Sequence, residues 1–190
     1  MTYAELQAAL LAQIGRAPSA ICYSMVTEDL NRTIHLRETL KVIELTCEEE
    51  VPLPSDLGMI SDVFLENREL RPAPRTQRNA DYRADGDAQT YSLTKGFMLI
   101  NPPGTGTITL RYYPRLAALA NADDTNTVLT YHSQVYVFGV LHFHEALTKN
   151  VEAALAYKAM YEEAKREVRG YDVRTSMAGS PAIPTVRTAP

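Results

Sequence analysis

The residues whose types could support chemistry are concentrated in one short stretch, His142-Phe-His144-Glu145, with His132 ten residues earlier. On a helix, His142 and Glu145 lie three positions apart on one face, where they could hold a metal ion. A catalytic metal normally needs three protein ligands, and carboxylate partners at ligand spacing do not occur on the other predicted helices. The pattern therefore favours histidines that hydrogen-bond inside a helix interface. A small metalloenzyme using His142 and Glu145, with His132 or His35 as a further ligand, is the alternative.

Other motifs of catalysis and cofactor binding are missing from the sequence. Gly104-Thr-Gly106 lies in a predicted hairpin and precedes a strand rather than a helix, so it does not fit a phosphate-binding loop. No serine occupies a nucleophile elbow, and Cys22 has no evident histidine to activate it. We therefore predict a protein that is not an enzyme and that uses no cofactor and no metal.

The composition limits the range of partners and compartments. The 190 residues are 45% hydrophobic, and the formal net charge is -4 with a pI near 5.6. This length suits one domain with a real core, and the acidic balance argues against a protein that grips nucleic acid phosphates. Cys22 and Cys47 predict buried thiols rather than a disulfide framework. The N-terminus lacks the pattern of a signal peptide and no apolar run is long enough to cross a bilayer, so we expect a non-secretory protein without a membrane partner.

Two helices are predicted between Asn126 and Gly170, joined near Lys149. The first is apolar on more than one side, from Val135 to Phe143, so a second element must cover it. The second is amphipathic, and its charged residues, Lys165 among them, are predicted to face solvent. Its apolar face has alternating spacings of three and four, and consists of Ala154, Tyr157, Tyr161, Ala164 and Val168.

Two further helices are predicted at the N-terminus. Thr2 and Glu5 have the spacing of a capping box, and Gly15 is the expected stop of the first helix. Pro18 or Ser19 can open the second helix. The residues expected on its apolar face are Ile21, Met25, Leu30 and Ile34.

The region between these helices, residues 35–114, has the patterns of β-strands. The alternation of apolar residues changes phase between Leu36 and Cys47, which predicts a strand with a bulge or a strand that passes from one sheet surface to another. The prolines near residues 52–54 favour an edge strand followed by a turn. Thr90–Ile100 and Thr105–Tyr113 are predicted to pair as a hairpin around Asn-Pro-Pro-Gly-Thr-Gly.

A long segment within the β region, residues 67–88, has almost no aliphatic side chains and is predicted to be a loop or projecting arm. Between Glu66 and Asp87, five arginines are balanced by five acidic residues. This balance favours a protein contact or a solvated loop over a nucleic-acid arm. We expect the arm to contact a tail protein or another subunit through Arg68, Arg71, Arg75, Arg78 and Arg83.

Helices at both ends of the chain that bracket a run of strands predict the α+β class. We expect a single domain, 1–170, in which a bundle of about four helices is built from residues 1–34 and 126–170, with an inserted antiparallel β region over 35–114. Residues 171–190 contain three prolines and no helical period, so an extended C-terminal tail is predicted.

The order of these features resembles the head-to-tail adaptors of tailed bacteriophages, also called connectors or head completion proteins. The resemblance covers most of residues 1–170 and lies in the order of short segments. These segments are Leu30-Asn31-Arg32, Leu53-Pro54-Ser55-Asp56-Leu57, Leu110-Arg111-Tyr112-Tyr113-Pro114 followed by Leu119, and Asn126 through His132, Tyr136, Gly139 and Leu141 to the final helix.

The resemblance implies a structural protein of the virion neck that forms a dodecameric ring beneath the portal, extends the DNA channel and offers a docking face for tail proteins. Its expected partners are the portal, copies of itself, tail or neck proteins, and DNA that passes without sequence-specific binding. Assembly would take place in the host cytoplasm, and a neighbouring subunit or the strand region would cover the second side of the first C-terminal helix. Another assembly component, such as a tail terminator or tail-completion protein, is the alternative.

The resemblance also implies that the C-terminal helix and tail engage the portal and neighbouring subunits. A tail with apolar residues and prolines can lie extended in a groove of a partner. The expected contact residues are Tyr171, Val173, Arg174, Met177, Ile183, Val186 and Arg187.

Overall fold

The chain has the α+β architecture that the sequence predicts. A computed structural model describes residues 1–48, 50–73, 90–94, 96–101 and 104–178. Two compact units are formed, each with its own hydrophobic core. The helical unit consists of Met1–Arg37 and the chain from Leu116 onward, and the strand unit is Glu38–Arg115. The sequence predicted one domain with an inserted β region, and the strand unit has nearly the bounds of that insertion.

The helical unit is arranged around its fourth helix. Its helices are α1 (Tyr3–Ile14), α2 (Ala20–Thr33), α3 (Thr127–Tyr131), α4 (Ser133–Leu147) and α5 (Val151–Ala178). Helix α1 begins with the predicted capping box of Thr2 and Glu5 and ends at Gly15, which has a φ of 70°. The other four helices all pack on α4. Its apolar surface is therefore covered on several sides within one subunit.

The sequence predicted that a neighbouring subunit or the strand region covers the second side of α4. Helices of the same unit already cover that side. Val135, Tyr136, Val140 and Leu141 are buried in the core of the helical unit. Three further apolar side chains of α4 are partly buried against the same core, Val137, Phe138 and Phe143, whereas Leu147 in its last turn is 53% exposed. A helix that is apolar on several sides is thus satisfied by α1, α2, α3 and α5.

The predicted apolar face of α2 is confirmed only in part, since Leu30 and Ile34 are buried but Ile21 is not. Ile21 is 54% exposed, whereas Cys22, Tyr23, Val26 and Thr27 are buried together with Leu30. The polar Thr27 can face the core because its hydroxyl donates to the Tyr23 carbonyl oxygen and hydrogen-bonds the Tyr136 hydroxyl. Thr27 therefore lies on the buried side of α2 among apolar residues.

The strand unit contains two four-stranded sheets. Its strands are β1 (Lys41–Thr46), β2 (Glu50–Pro52), β3 (Leu57–Leu65), β4 (Arg68–Glu69), β5 (Arg71–Pro72), β6 (Thr90–Thr94), β7 (Phe97–Asn101) and β8 (Thr107–Pro114). The first sheet has the order β1-β8-β3-β4 and the second β2-β7-β6-β5. Strand pairs are antiparallel, except for the short parallel pair of β5 with β6. Pro52 lies on an edge strand, where the missing N–H is tolerated.

The predicted hairpin of Thr90–Ile100 with Thr105–Tyr113 is wrong. The first segment forms a hairpin by itself, because Gly96 adopts a φ of 84° and lets Thr94 pair with Phe97. Strand β8 lies in the other sheet between β1 and β3. Its buried residues Ile108, Leu110 and Tyr112 belong to the strand core.

The prediction of one strand from Leu36 to Cys47, with either a bulge or a change of sheet surface, is also wrong. Leu36 belongs to the helical core, a 3₁₀ turn follows at Arg37–Thr39, and β1 starts only at Lys41. From there Ile43, Leu45 and Cys47 contribute to the strand core. The change of phase therefore marks the passage of the chain from one core to the other. Register shifts do occur, but between β3 and β8.

The long C-terminal helix extends beyond the predicted end at Gly170. Helix α5 runs to Ala178, so residues 171–178 are helical and not extended. The rest of the predicted tail, 179–190, lies outside the described residues. Among the helices of the described part, none is long and apolar enough to span a membrane.

Candidate partner-binding surface

The predicted contact residues for partners begin on the last turns of α5. Tyr171 and Val173 are about half exposed, at 48% and 51%. Arg174 and Met177 lie on the same helix, and Ile183, Val186 and Arg187 lie outside the described residues. Tyr171 and Val173 therefore lie on a regular helix and not on an extended tail. Asp172 holds this end in place, because its Oδ1 accepts the backbone N–H of Arg37 at 2.7 Å.

A cavity of about 450 Å³ lies beside Tyr171 in the helical unit. It is bounded by the α3–α4 junction on one side and by α5 on the other. The rings of Tyr171 and His132 meet edge to face, with 5.5 Å between their centroids. The complete lining is Tyr131, His132, Ser133, Gln134, Val135, Ala164, Glu167, Val168 and Tyr171. The lining therefore combines aromatic, aliphatic, amide, hydroxyl and carboxylate groups.

The break between α3 and α4 at His132 shapes this cavity. Sequence periodicity predicted one continuous helix, but His132 has φ -135° and ψ 47°, so its backbone is not helical. The imidazole Nε2 is buried and has no hydrogen-bond partner in the part of the chain that the structure describes. The break turns Tyr131, which is 69% exposed, toward solvent.

A polar cluster fixes α5 against α2. The Asp29 carboxylate accepts hydrogen bonds from the Tyr161 hydroxyl at 2.7 Å and from Lys165 Nζ at 2.9 Å. Lys165 is only 4% exposed, also pairs with Glu162 at 2.8 Å, and lies 4.5 Å from the centre of the Tyr161 ring. The prediction that Lys165 faces solvent is therefore wrong. Its position four residues after Tyr161 and three before Val168 was the signal that it shares their face.

The ionisation of this cluster follows from its contacts. Burial acts to raise the pKa of Asp29, but the hydrogen bonds from Tyr161 and Lys165 and the lysine charge outweigh it, so the pKa lies below the ordinary value. Burial and the adjacent Asp29 carboxylate both raise the pKa of the Tyr161 hydroxyl. The cluster is thus held as a carboxylate, a neutral phenol and a lysine paired with two carboxylates.

A second polar cluster fixes the start of α3 to α4. The Asn126 side-chain oxygen accepts the Leu129 N–H at 2.9 Å, while its amide nitrogen donates to the Tyr136 hydroxyl at 2.8 Å and to the Ala117 carbonyl at 3.2 Å. The Tyr136 hydroxyl is also 3.1 Å from Thr27 Oγ1. Burial raises the pKa of Tyr136. Asn126 therefore caps α3 and also ties the preceding loop to the core.

In the strand unit, Asp56 from the Leu53–Leu57 turn has a comparable role. Its Oδ2 pairs with Lys41 Nζ at 2.6 Å, its Oδ1 accepts from the Tyr112 hydroxyl at 3.0 Å, and its carbonyl accepts the Arg115 N–H. The hydrogen bond from Lys41 lowers the pKa of Asp56. A Cβ on the adjacent Gly58 would lie 2.8 Å from the Tyr113 carbonyl oxygen, so this crossing needs glycine.

The histidines of α4 make structural hydrogen bonds. His142 Nδ1 lies 2.9 Å from the Ala154 carbonyl oxygen, and His144 Nε2 accepts from Arg16 Nε at 2.9 Å. Glu145 accepts from the Asn150 side chain at 2.8 Å. The interpretation of His142 as a helix-interface residue is therefore confirmed. Within the described ranges, no three His, Cys, Asp or Glu side chains are grouped so that they could hold a metal ion.

The arginine arm is described only at its start, where the predicted loop is wrong because the chain forms β4 and β5 and buries Leu70 in the strand core. Arg68 and Arg71 are exposed on the short strands β4 and β5. Arg75, Arg78 and Arg83 lie outside the described residues. The contact role of the arm therefore stays a prediction.

Comparison with known proteins identifies the family. The family model described as SU10 adaptor protein matches residues 1–185, which is nearly the whole chain. No curated protein matches the chain. The family match confirms the resemblance to phage head-to-tail adaptors, which the sequence had carried only in the order of short segments.

Proposed function

We propose that this chain, which belongs to the SU10 adaptor protein family, forms a dodecameric ring beneath the portal of a tailed phage. Membership of the family supports a structural adaptor role in the virion neck that involves portal and tail proteins. In the proposed ring, the subunits extend the DNA channel and give the tail proteins a docking face. The match over residues 1–185 is the observation that carries this proposal.

The architecture of the helical unit supports an adaptor role. Helix α5 has 28 residues and is therefore about 42 Å long, against 15 residues in α4. We infer that α1, α2, α4 and α5 form the bundle of four helices, with the C-terminal end of α5 as its portal-facing end. The half-exposed Tyr171 and Val173 at this end offer an aromatic and an aliphatic anchor, as the centres of protein interfaces often do.

The charge of the subunit suits a DNA channel. A net charge of -4 limits the attraction of DNA phosphates, so DNA can slide past the ring without being held. Residues 179–190 supply Ile183, Val186 and Arg187 as further contacts to the portal or to the next subunit. The proteins of the ring assemble in the host cytoplasm before the tail attaches.

Cryo-electron microscopy of the parent particle tests the proposal. Density for twelve copies of this chain between portal and tail is the expected result. The same chain at a different position in the particle, or in a ring of different symmetry, would instead make it a tail terminator or tail-completion protein. A particle that lacks the chain would overturn the proposal.

A binding experiment tests the end of α5 separately. In the full chain, Val173→Glu is expected to reduce co-sedimentation with purified portal rings by about tenfold or more, because it places a charge in an apolar contact. Arg166→Gln changes the net charge by the same amount on the same exposed side of the helix, two turns earlier, and should bind like the wild type. Equal binding by the two variants would remove Val173 from the portal contact.

A further inference from the structure

The solvent side of α5 changes character along the helix. From Glu162 onward it carries Glu163, Arg166 and Glu167, as expected for an exposed helix surface. The first ten residues, 151–160, contain only Glu152 and Lys158 as charged residues. In this part Val151 and Leu155 are 67% and 62% exposed. One helix thus has a charged half and an apolar half on its outer surface, and the apolar half is a candidate contact surface.

A second exposed surface with few charges lies on α1. Glu5 is the single charged residue of that helix, and its carboxylate is occupied by the capping box. On the side opposite its buried residues, α1 exposes Ala8, Leu11 and Ala12, with Leu11 at 48%. Both α1 and α5 pack on α4, and they make few contacts with each other. The two apolar surfaces therefore belong to different helices and cannot cover one another within the subunit.

We propose that the outer surface of α1 in one copy packs antiparallel against the apolar half of α5 in a second copy. Choosing a second copy as the occupant rests on the proposed ring assembly. Because two different surfaces of the same chain meet, the contact is heterologous, so each added copy leaves one surface free for the next. Such a contact closes into a ring when the rotation between copies allows it.

The charges at the rims of the two surfaces select the antiparallel direction. Along α1 the order is Glu5 and then Arg16, just after the helix, and along α5 it is Glu152 and then Lys158. An antiparallel pair brings Glu5 toward Lys158 and Arg16 toward Glu152, whereas a parallel pair would bring like charges together. Opposite charges across an interface fix its register and suppress the wrong arrangement.

The size of the contact determines how it must be tested. One pair of short helix surfaces buries less than the roughly 800 Å² per partner of a standard stable interface. The pair is therefore weak in isolation and gains strength from closure of the ring. Covalent trapping detects such a contact where the oligomeric state of the free chain would not.

Cysteine cross-linking between full-length variants tests the proposal. Ala4→Cys mixed with Ala159→Cys is expected to give a mixed disulfide dimer at least about tenfold above the wild type, whose Cys22 and Cys47 are buried. Glu152→Cys is the matched control, because it lies two turns earlier on the same exposed side of α5 and should not cross-link to Ala4→Cys in an antiparallel pair. Preferential cross-linking to Glu152→Cys would indicate the parallel arrangement and overturn the proposal.

Two further outcomes are decisive. Disulfide dimers within either single-variant preparation, in excess of the mixed dimer, would show a symmetric contact and overturn the proposal. The same cysteine pair, placed together in one chain and incorporated into virions, separates this inference from the proposed function. A neck ring that contains the chain without these cross-links would refute the α1–α5 contact and leave the adaptor role intact, while a particle without the chain would refute the adaptor role.

Discussion

Gly139 shows how closely the helices of the helical unit approach one another. A Cβ at this position would lie 2.9 Å from Tyr161 Cε2 and 2.9 Å from Val26 Cγ2. Alanine is therefore too large here, although it favours a helix in general. Gly139 is one of the residues that carried the family resemblance, and its role is to let α2 and α5 both reach α4.

Gly139→Ala is expected to lower the free energy of unfolding by about 1–2 kcal/mol, because overpacking outweighs the gain in helix propensity. Urea denaturation of the full chain measures the change. Val26→Ala removes the two methyl groups that the new Cβ would meet. In the double variant, Gly139→Ala should lower the free energy of unfolding by less than it does alone. If the effects of the two substitutions on this free energy simply add, the proposed clash is contradicted.

Lys165 makes its contribution from a buried position. Lys165→Met is expected to cost about 1–2 kcal/mol of stability, less than for a fully buried pair, because the side chain of Asp29 is 32% exposed. Lys158→Met, on an exposed site of the same helix, should change stability by less than about 0.5 kcal/mol. Equal effects in thermal or urea unfolding would mean that the cluster does not stabilise the fold.

Asp29 gives the fold a defined sensitivity to acid. Its folded pKa lies below the ordinary value of 3.8, so its contribution to stability is present above that value and is lost as the pH falls through the folded pKa. We expect Asp29→Asn to be less stable than the wild type at pH 6 and to approach it near pH 3. Urea denaturation at both pH values checks this, and a constant difference would exclude a role for the Asp29 charge.

At the scale of secondary structure, Asn126 shows how one side chain can organise two elements. Asn126→Ala removes the cap of α3 and the hydrogen bonds to Tyr136 and Ala117. A loss of about 2 kcal/mol is expected from the cap and the unsatisfied buried groups. Asn121→Ala in the same loop is the control, since the side-chain nitrogen of Asn121 makes only long contacts of 3.4 Å to the Asp124 carboxylate. If both variants lose a similar, small amount of stability in thermal unfolding, the capping role of Asn126 is contradicted.

Local sequence patterns predicted elements that have a single periodic face. The apolar face of α5 was predicted correctly, since Ala154, Tyr161, Ala164 and Val168 are buried. The capping box of α1 was also predicted correctly from the sequence, because it depends on two residues three positions apart. These features follow from contacts that are near in sequence.

Features that depend on distant partners were not predictable in the same way. The buried Lys165 requires Asp29, which lies on another helix, and the placement of β8 requires β1 and β3 on both of its sides. Asn-Pro-Pro-Gly-Thr-Gly has the composition of a hairpin turn, so local evidence favoured pairing the strands on either side of it. The cavity beside Tyr171 likewise depends on the break at His132, which no local pattern indicated.

At the scale of the whole molecule, the chain maintains two cores from separate sets of residues. The strand unit is one continuous insertion, while the helical unit is assembled from both ends of the chain. Met98 and Leu141 are fully buried, one in each core. Units with their own cores can open independently, as local unfolding units do.

A substitution in one core should therefore reduce the protection of backbone amides from hydrogen exchange first in that unit. Met98→Ala is expected to cost about 2–5 kcal/mol and to reduce the protection of β7 and β8 amides more than that of α4 and α5 amides. Leu141→Ala should show the reverse order, which makes each variant the control for the other. Native-state hydrogen exchange of the full chain provides the measurement. Equal loss of protection in both units, for both variants, would mean that the two cores unfold together as the single domain that the sequence predicted.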